Sequence, residues 1–246
     1  MSAAPGGGDG THDSALGGAA PARLPQRSEL LEQLSRLTPE TAEGYERVRA
    51  TIESDGALPA SLKALLVAVG ASARGNVELA AAEIARGRAI GLEEDLIALA
   101  LSAITLSRGE NAGANLLAAA GRIGEQLPAT RPRSEHDGVS YFKQYNAVEE
   151  LPPRMALLHE HSPEVFEGYF RMHHASLSSD SRTDWIAELM MCSLNAAELQ
   201  AGFVAIHAAC ARRRGVSDAQ LVEAVLCAIP VSGVGAWAAA AGALFD

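Results

Sequence analysis

Glu188 and His207 stand 19 residues apart in the stretch AELMMCSLNAAELQAGFVAIHAACARRRGVSDAQL. The apolar spacing around them predicts two consecutive helices, with His207 about two turns into the second and Glu188 facing it from the first. A carboxylate beside an imidazole raises the imidazole pKa and fixes its tautomer, giving a group that takes and returns a proton near neutral pH. That chemistry is general acid/base transfer, with His207 as the shuttle and Glu188 as its orienter. A competing reading is a buried structural pair bridging two helices, since ionisable pairs of this kind also serve as structure.

Other residue types nearby extend the list. His173 and His174 end a predicted helix, where one of them could face the same pocket as a second proton donor or substrate anchor; a cation favoured by the helix dipole is the plainer reading. With His159 and His161 they form a histidine-rich stretch, but no H-x-x-x-H pair completes a ligand set, so no metal is expected. Trp185, Phe203 and Trp237 are candidates for an apolar pocket wall or for plain core. Arg212, Arg213 and Arg214 close the His207 helix, as a solvated helix end, as an anchor for an anionic substrate or as a bridge between subunits. Three cysteines, Cys192, Cys210 and Cys227, are too few and too widely spaced for a disulfide framework or a C-x-x-C pair, which suits a reducing cytoplasm.

The elements that must position these residues are helices. Of 246 residues, 48% are apolar yet only 4% aromatic, and about a fifth are alanine. Alanine favours helices and lets their axes approach, whereas strands need the β-branched and aromatic side chains scarce here. The expected fold class is all-α. A formal charge of −10 repels a phosphate backbone, so nucleic acid is not an expected partner. No apolar run is long enough for a membrane span and the first residues lack a signal-peptide pattern, so neither membrane nor export is expected. Residues 1–27, rich in Gly, Ala, Ser and Pro, read as a disordered tail. Residues 126–150 read as a linker whose later part packs through Tyr141, Phe142 and Tyr145.

The halves on either side of that linker match. TPETAEGYERVRA from Thr38 aligns with SPEVFEGYFRMHH from Ser162 at an offset of 124, and the same register pairs Gly91 with Gly215 and Gly109 with Gly233. One gapless register over about 70 residues implies a duplicated unit. Thr38-Pro39 and Ser162-Pro163 predict helix starts, Ser217 to Gln220 has the spacing of a capping box, and Gly91 and Gly215 predict left-handed helix ends. In the second half helices are expected near 163–178, 182–195, 197–213, 218–228 and 233–245.

The spacing of Glu188, His207 and Gly215, followed by a capped helix, resembles the carboxymuconolactone decarboxylase and alkylhydroperoxidase D family. Its redox members carry a Glu, eleven residues, Cys-x-x-Cys, three residues and a His. The likeness covers residues 38–122 and 162–246 and implies two tandem pseudo-equivalent helical repeats, 28–125 and 151–246. The redox positions hold Gln200 and Phe203 in the second half and Asn76 and Leu79 in the first, so thiol-dependent peroxide reduction by the family's route is not expected. Glu188 aligns with Ala64 and His207 with Glu83, which places the candidate site in the second half. The resemblance then implies a cofactor-independent lyase or isomerase that moves protons on a small carbonyl or unsaturated acid by decarboxylation, isomerisation or cyclisation, with Gln200 and Phe203 facing its cavity. It also implies a homo-oligomer, dimer or trimer. The alternative is a non-catalytic binding or assembly module on a decayed peroxidase-like fold.

Overall fold

The computed structural model describes residues 25–121, 123, 136–178 and 180–245, and every regular element among them is a helix. Helices α1 (Pro25–Leu37) and α2 (Pro39–Glu53) lead into α3 (Ala60–Ala73), α4 (Val77–Ala89) and a long α5 (Glu94–Ala120) that breaks at Gly109. After α6 (Gly138–Asn146) and α7 (Pro153–His161) come α8 (Pro163–Leu177), α9 (Asp184–Ala197) and α10 (Ala201–Arg213). The chain ends in α11 (Asp218–Leu226), a short α12 (Ile229–Ser232) and α13 (Val234–Phe245).

Two helices form the centre. α3 and α9 are apolar almost all round, which is the pattern of a helix with no solvent face, and nearly every residue of both is buried. They pack on one another, with α4 against α3 and α10 against α9. A Cβ at Gly70 would stand 3.4 Å from both the Ala197 Cβ and Val231, so small side chains set how closely these elements approach. That is the packing role of an alanine-rich, aromatic-poor composition.

Helix bounds recur at the 124-residue offset: 60–73 and 184–197 for α3 and α9, 77–89 and 201–213 for α4 and α10. Gly91 and Gly215 have φ of +94° and +84°, and Gly109 and Gly233 have +77° and +73°. The side chains follow suit. Arg88 holds Glu94 and the carbonyl of Ala120, while Arg212 holds Asp218 and the carbonyl of Leu244. At Gly75, with φ +76°, the second half has Leu199, with φ +60°. A left-handed L-residue costs about 1–2 kcal/mol, only partly offset by the greater unfolded freedom of glycine. Leu199 is exposed and loses little by truncation. Leu199→Gly should therefore stabilise the protein by roughly 0.5–1 kcal/mol in urea unfolding; a loss of stability would contradict this account of the turn.

Several expectations need correction. The tail does not reach residue 27, because α1 opens at Pro25; residues 1–24 lie outside the described residues. The segment 126–150 is not simply a linker, since α6 lies within it with Tyr141, Phe142 and Tyr145 buried; residues 124–135 are outside the description. Asp137 caps this helix by accepting from the Ser140 amide, and the apolar aromatics recur at helical spacing on one face. Thr38 and Ser162 sit at helix starts, but neither hydroxyl makes a cap bond; proline at the first position defines the start. The Ser217–Gln220 capping box is present. The turn between α9 and α10 spans Glu198 to Gln200, so α10 begins at Ala201 rather than 197. No described helix is long and apolar enough to cross a membrane.

Candidate active site

Glu188 lies in the middle of α9, fully buried, where an unpaired carboxylate would be costly. Its partners converge from three directions. His207 on α10 places Nδ1 2.9 Å from Oε2, Arg214 just beyond α10 places Nη1 2.9 Å from Oε1, and the Tyr145 hydroxyl of α6 donates at 3.0 and 3.1 Å. Burial pushes the Tyr145 phenol well above its ordinary pKa, with the charge of Glu188 adding to the rise, so it stays a donor. Arg214 also lies over the Tyr145 ring, 5.5 Å from its centroid. A carboxylate only accepts, so Nδ1 of His207 carries a proton toward Glu188 and Nε2 is the nitrogen left for proton exchange. Nε2 makes no hydrogen bond among the described residues.

His207 borders an inner cavity of about 170 Å³. α10 contributes Phe203 and His207, with Gln200 just before it; α9 contributes Met191 and Asn195; α8 contributes Tyr169, His173 and Leu177. The remaining wall is Leu106, Ser107 and Arg108, from α5 ahead of its break. Arg108 is held by Asn195 at 2.8 Å and Glu198 at 2.7 Å, so a cation from the first half faces the His207 cavity.

His173 is the second imidazole there. Its Nδ1 lies 2.7 Å from the Tyr141 hydroxyl, and its ring stands edge-on to Tyr145 at 4.5 Å between centroids. Desolvation pushes its pKa down to about 3, with His207 and Arg214 adding repulsion. Burial pushes the Tyr141 phenol upward, so it stays a hydroxyl, shared between the neutral His173 ring and the Ser178 hydroxyl at 2.9 Å. The inner cavity thus brings two imidazoles, His173 and His207, to one space. The depressed pKa also has a consequence for stability. Unfolded, His173 protonates near pH 6.5; folded, only near pH 3, so stability present above pH 6.5 is lost as pH falls through that window. From pH 7 to pH 5 this amounts to about 2 kcal/mol. His173→Gln should flatten the pH dependence of urea unfolding in that interval; an unchanged slope would contradict it.

The remaining expected site residues divide. Glu188, His173, Gln200 and Phe203 gather around His207, although Glu188 sits behind the ring and does not line the cavity. His174 does not join them; it lines a separate outer cavity with Arg213 and Arg214, because adjacent residues on a helix point about 100° apart. Trp185 lines neither cavity, its indole N–H donating to the Arg182 carbonyl at 2.9 Å, and Trp237 packs against the core. Arg214 is no solvated helix end: it is the ion-pair partner of Glu188. Sequence reasoning missed Tyr145, Arg214 and Arg108 as parts of this site.

In the first half the corresponding positions carry a different arrangement. Arg49 and Glu83, which pair with His173 and His207 at the 124 offset, form a buried ion pair, with Glu53 also on Arg49 and Arg86 also on Glu83. Ala64 stands where Glu188 would be. This place is filled by paired charges and has no imidazole to move a proton.

All three cysteines are buried, and desolvation raises each thiol, Cys227 to about 12. None is poised as a thiolate near neutral pH. Among the described residues no group of three His, Cys, Asp or Glu side chains is placed to hold a metal ion. In comparison with known proteins, the chain matches no protein-family model and no curated protein.

Proposed function

We propose that the protein is a cofactor-independent, non-redox enzyme of the carboxymuconolactone decarboxylase type, built from two copies of one alkylhydroperoxidase D-like helical unit and active in the second. The observation that carries this reading is the state of His207: Nδ1 is held by a buried carboxylate while the ring borders a cavity with Nε2 unpaired. Such a ring is oriented as a general base. A small acid with a carbonyl or conjugated double bond would enter beside Arg108, whose guanidinium suits its carboxylate. His207 Nε2 takes a proton from the carbon next to the carbonyl. In this reading the Tyr141 hydroxyl donates to His173 Nδ1, His173 Nε2–H donates to the oxygen on which charge develops, and the His207 proton then returns to another carbon, giving isomerisation. In a decarboxylation His207 Nε2 first takes the proton of the substrate's carboxylic acid group, carbon dioxide leaves, the same donor stabilises the enolate, and the Nε2 proton is then delivered to the carbon that carried the carboxyl group. Gln200 and Phe203, standing where redox relatives carry cysteines, would shape the cavity for its substrate. The same resemblance carries a homo-oligomeric state, dimer or trimer, and the free cysteines suit a reducing cytoplasm.

Incubating the full chain in D2O with a panel of small keto acids and unsaturated lactone acids tests this reading. Deuterium incorporation or carbon dioxide release with at least one of them is expected, and no exchange across the panel would overturn it. One observation favours the second reading, a non-catalytic binding or assembly module: every donor around Glu188 is satisfied, as in a structural ion cluster. Saturable binding in the inner cavity without exchange would establish that reading instead.

A further inference from the structure

The outer cavity, about 290 Å³, takes no part in that chemistry. Its walls are α6, the end of α8 and the end of α10, and they bring together Arg213, Arg214, His174, His136, Ser178 and Gln144. Among the described residues no carboxylate lines it. A concavity with two guanidinium groups and two imidazoles is unusual on a chain of formal charge −10.

The two arginines differ in how their charge is met. Arg214 is paired with Glu188 through the cavity wall, and its other nitrogen reaches the Leu177 carbonyl and the Ser178 hydroxyl. Arg213 donates through Nη2 to the Tyr145 carbonyl at 2.7 Å and to the Cys210 sulfur at 3.1 Å, both neutral acceptors, and no ion pair compensates it among the described residues. Arg213 is thus held in place with its charge unmatched and further N–H groups left to donate. Burial, and then the neighbouring His136, push the His174 pKa down, the direction expected in a cavity that holds positive charge and no anion.

We propose that the outer cavity binds a small oxyanion, a carboxylate or phosphate group, through the Arg213 guanidinium with Arg214, His174 and Ser178 as further donors. Planar guanidinium forks match both kinds of oxyanion, and preorganised donors lower the ordering cost of binding. The bound anion shares Arg214 with Glu188, so filling the outer cavity is felt at the His207 ring although the ligand never touches it.

Calorimetric titration of the full chain with inorganic phosphate and, separately, with acetate tests the proposal and tells the two classes apart. At least one probe should bind saturably at a single site, more tightly at low salt. Arg213→Gln should weaken that binding by about tenfold or more, and His174→Gln by less, as expected when one charge-assisted donor is lost. Trp185→Phe, altered outside both cavities, should bind the probe as the parent does. Saturable binding should also shift the His207 ring resonances in the parent. Absence of saturable binding by either probe, or binding unaltered in both Arg213→Gln and His174→Gln, would overturn the proposal. None of these measurements needs turnover, so their outcome is independent of the acid/base reading.

Discussion

His207→Gln is expected to lower turnover by about 10²–10⁴-fold, the range that a positioned general base contributes, while the fold is kept. The effect follows from the division of labour on the ring. Nδ1 is committed to Glu188 at 2.9 Å, so the basic site is Nε2, and glutamine has no group of comparable basicity to place there. Glutamine still offers an amide donor to Glu188, which keeps the carboxylate from being stranded. The carbon acid identified by deuterium exchange supplies the assay, and circular dichroism checks the fold. Full activity in this variant would remove His207 from the mechanism. Under the proposed role of His173 at the developing oxygen, His173→Phe should also reduce kcat; a change confined to KM would leave His173 as a binding residue only.

The parts of this site that could be read in the sequence are those whose signal is local. Pro39, Pro163, Gly91 and Gly215 mark helix ends through backbone constraints that act within a residue or two, and the structure places ends there. The Glu188–His207 pair was legible because two adjacent helices carry it at a spacing that lets them meet. Tyr145 was not, because prolines and charges around 126–150 mask a nine-residue helix, and only the fold lays α6 on α8 so that the Tyr145 hydroxyl reaches Glu188 on α9. Arg214 was hidden among three consecutive arginines, which have the same local meaning but three fates: Arg212 on Asp218, Arg213 on the Tyr145 carbonyl, Arg214 on Glu188. Arg108 belongs to the half without the imidazole pair, and nothing in the local pattern before Gly109 says that its side chain reaches Asn195 and Glu198. His173 and His174 are indistinguishable by type and spacing, yet one turn of geometry sends them to different cavities.

Glu188→Ala should cost about 3–5 kcal/mol of folding stability, the usual consequence of removing one partner from a buried pair. Three donors lose their acceptor together: the Tyr145 hydroxyl, His207 Nδ1 and Arg214 Nη1. Tyr145 and His207 are buried, so their donors are left in the interior without the charged acceptor that met them. For a chain of this size the loss corresponds to a fall in Tm of roughly 6–20 °C. Glu188→Gln should cost less, because the amide carbonyl still accepts, although its NH2 replaces one of the two accepting oxygens; Arg214 is then left beside a neutral group and can turn toward the outer cavity, where its side chain is partly exposed. A double-mutant cycle separates the terms. Arg214→Met alone leaves Glu188 with an unbalanced charge, whereas Arg214→Met in the Glu188→Gln background removes both, so the second substitution should be less costly there by about 1–3 kcal/mol. Additivity in that cycle would mean that the two charges do not sense one another, and the link by which Arg214 joins the outer cavity to the imidazole pair would be absent.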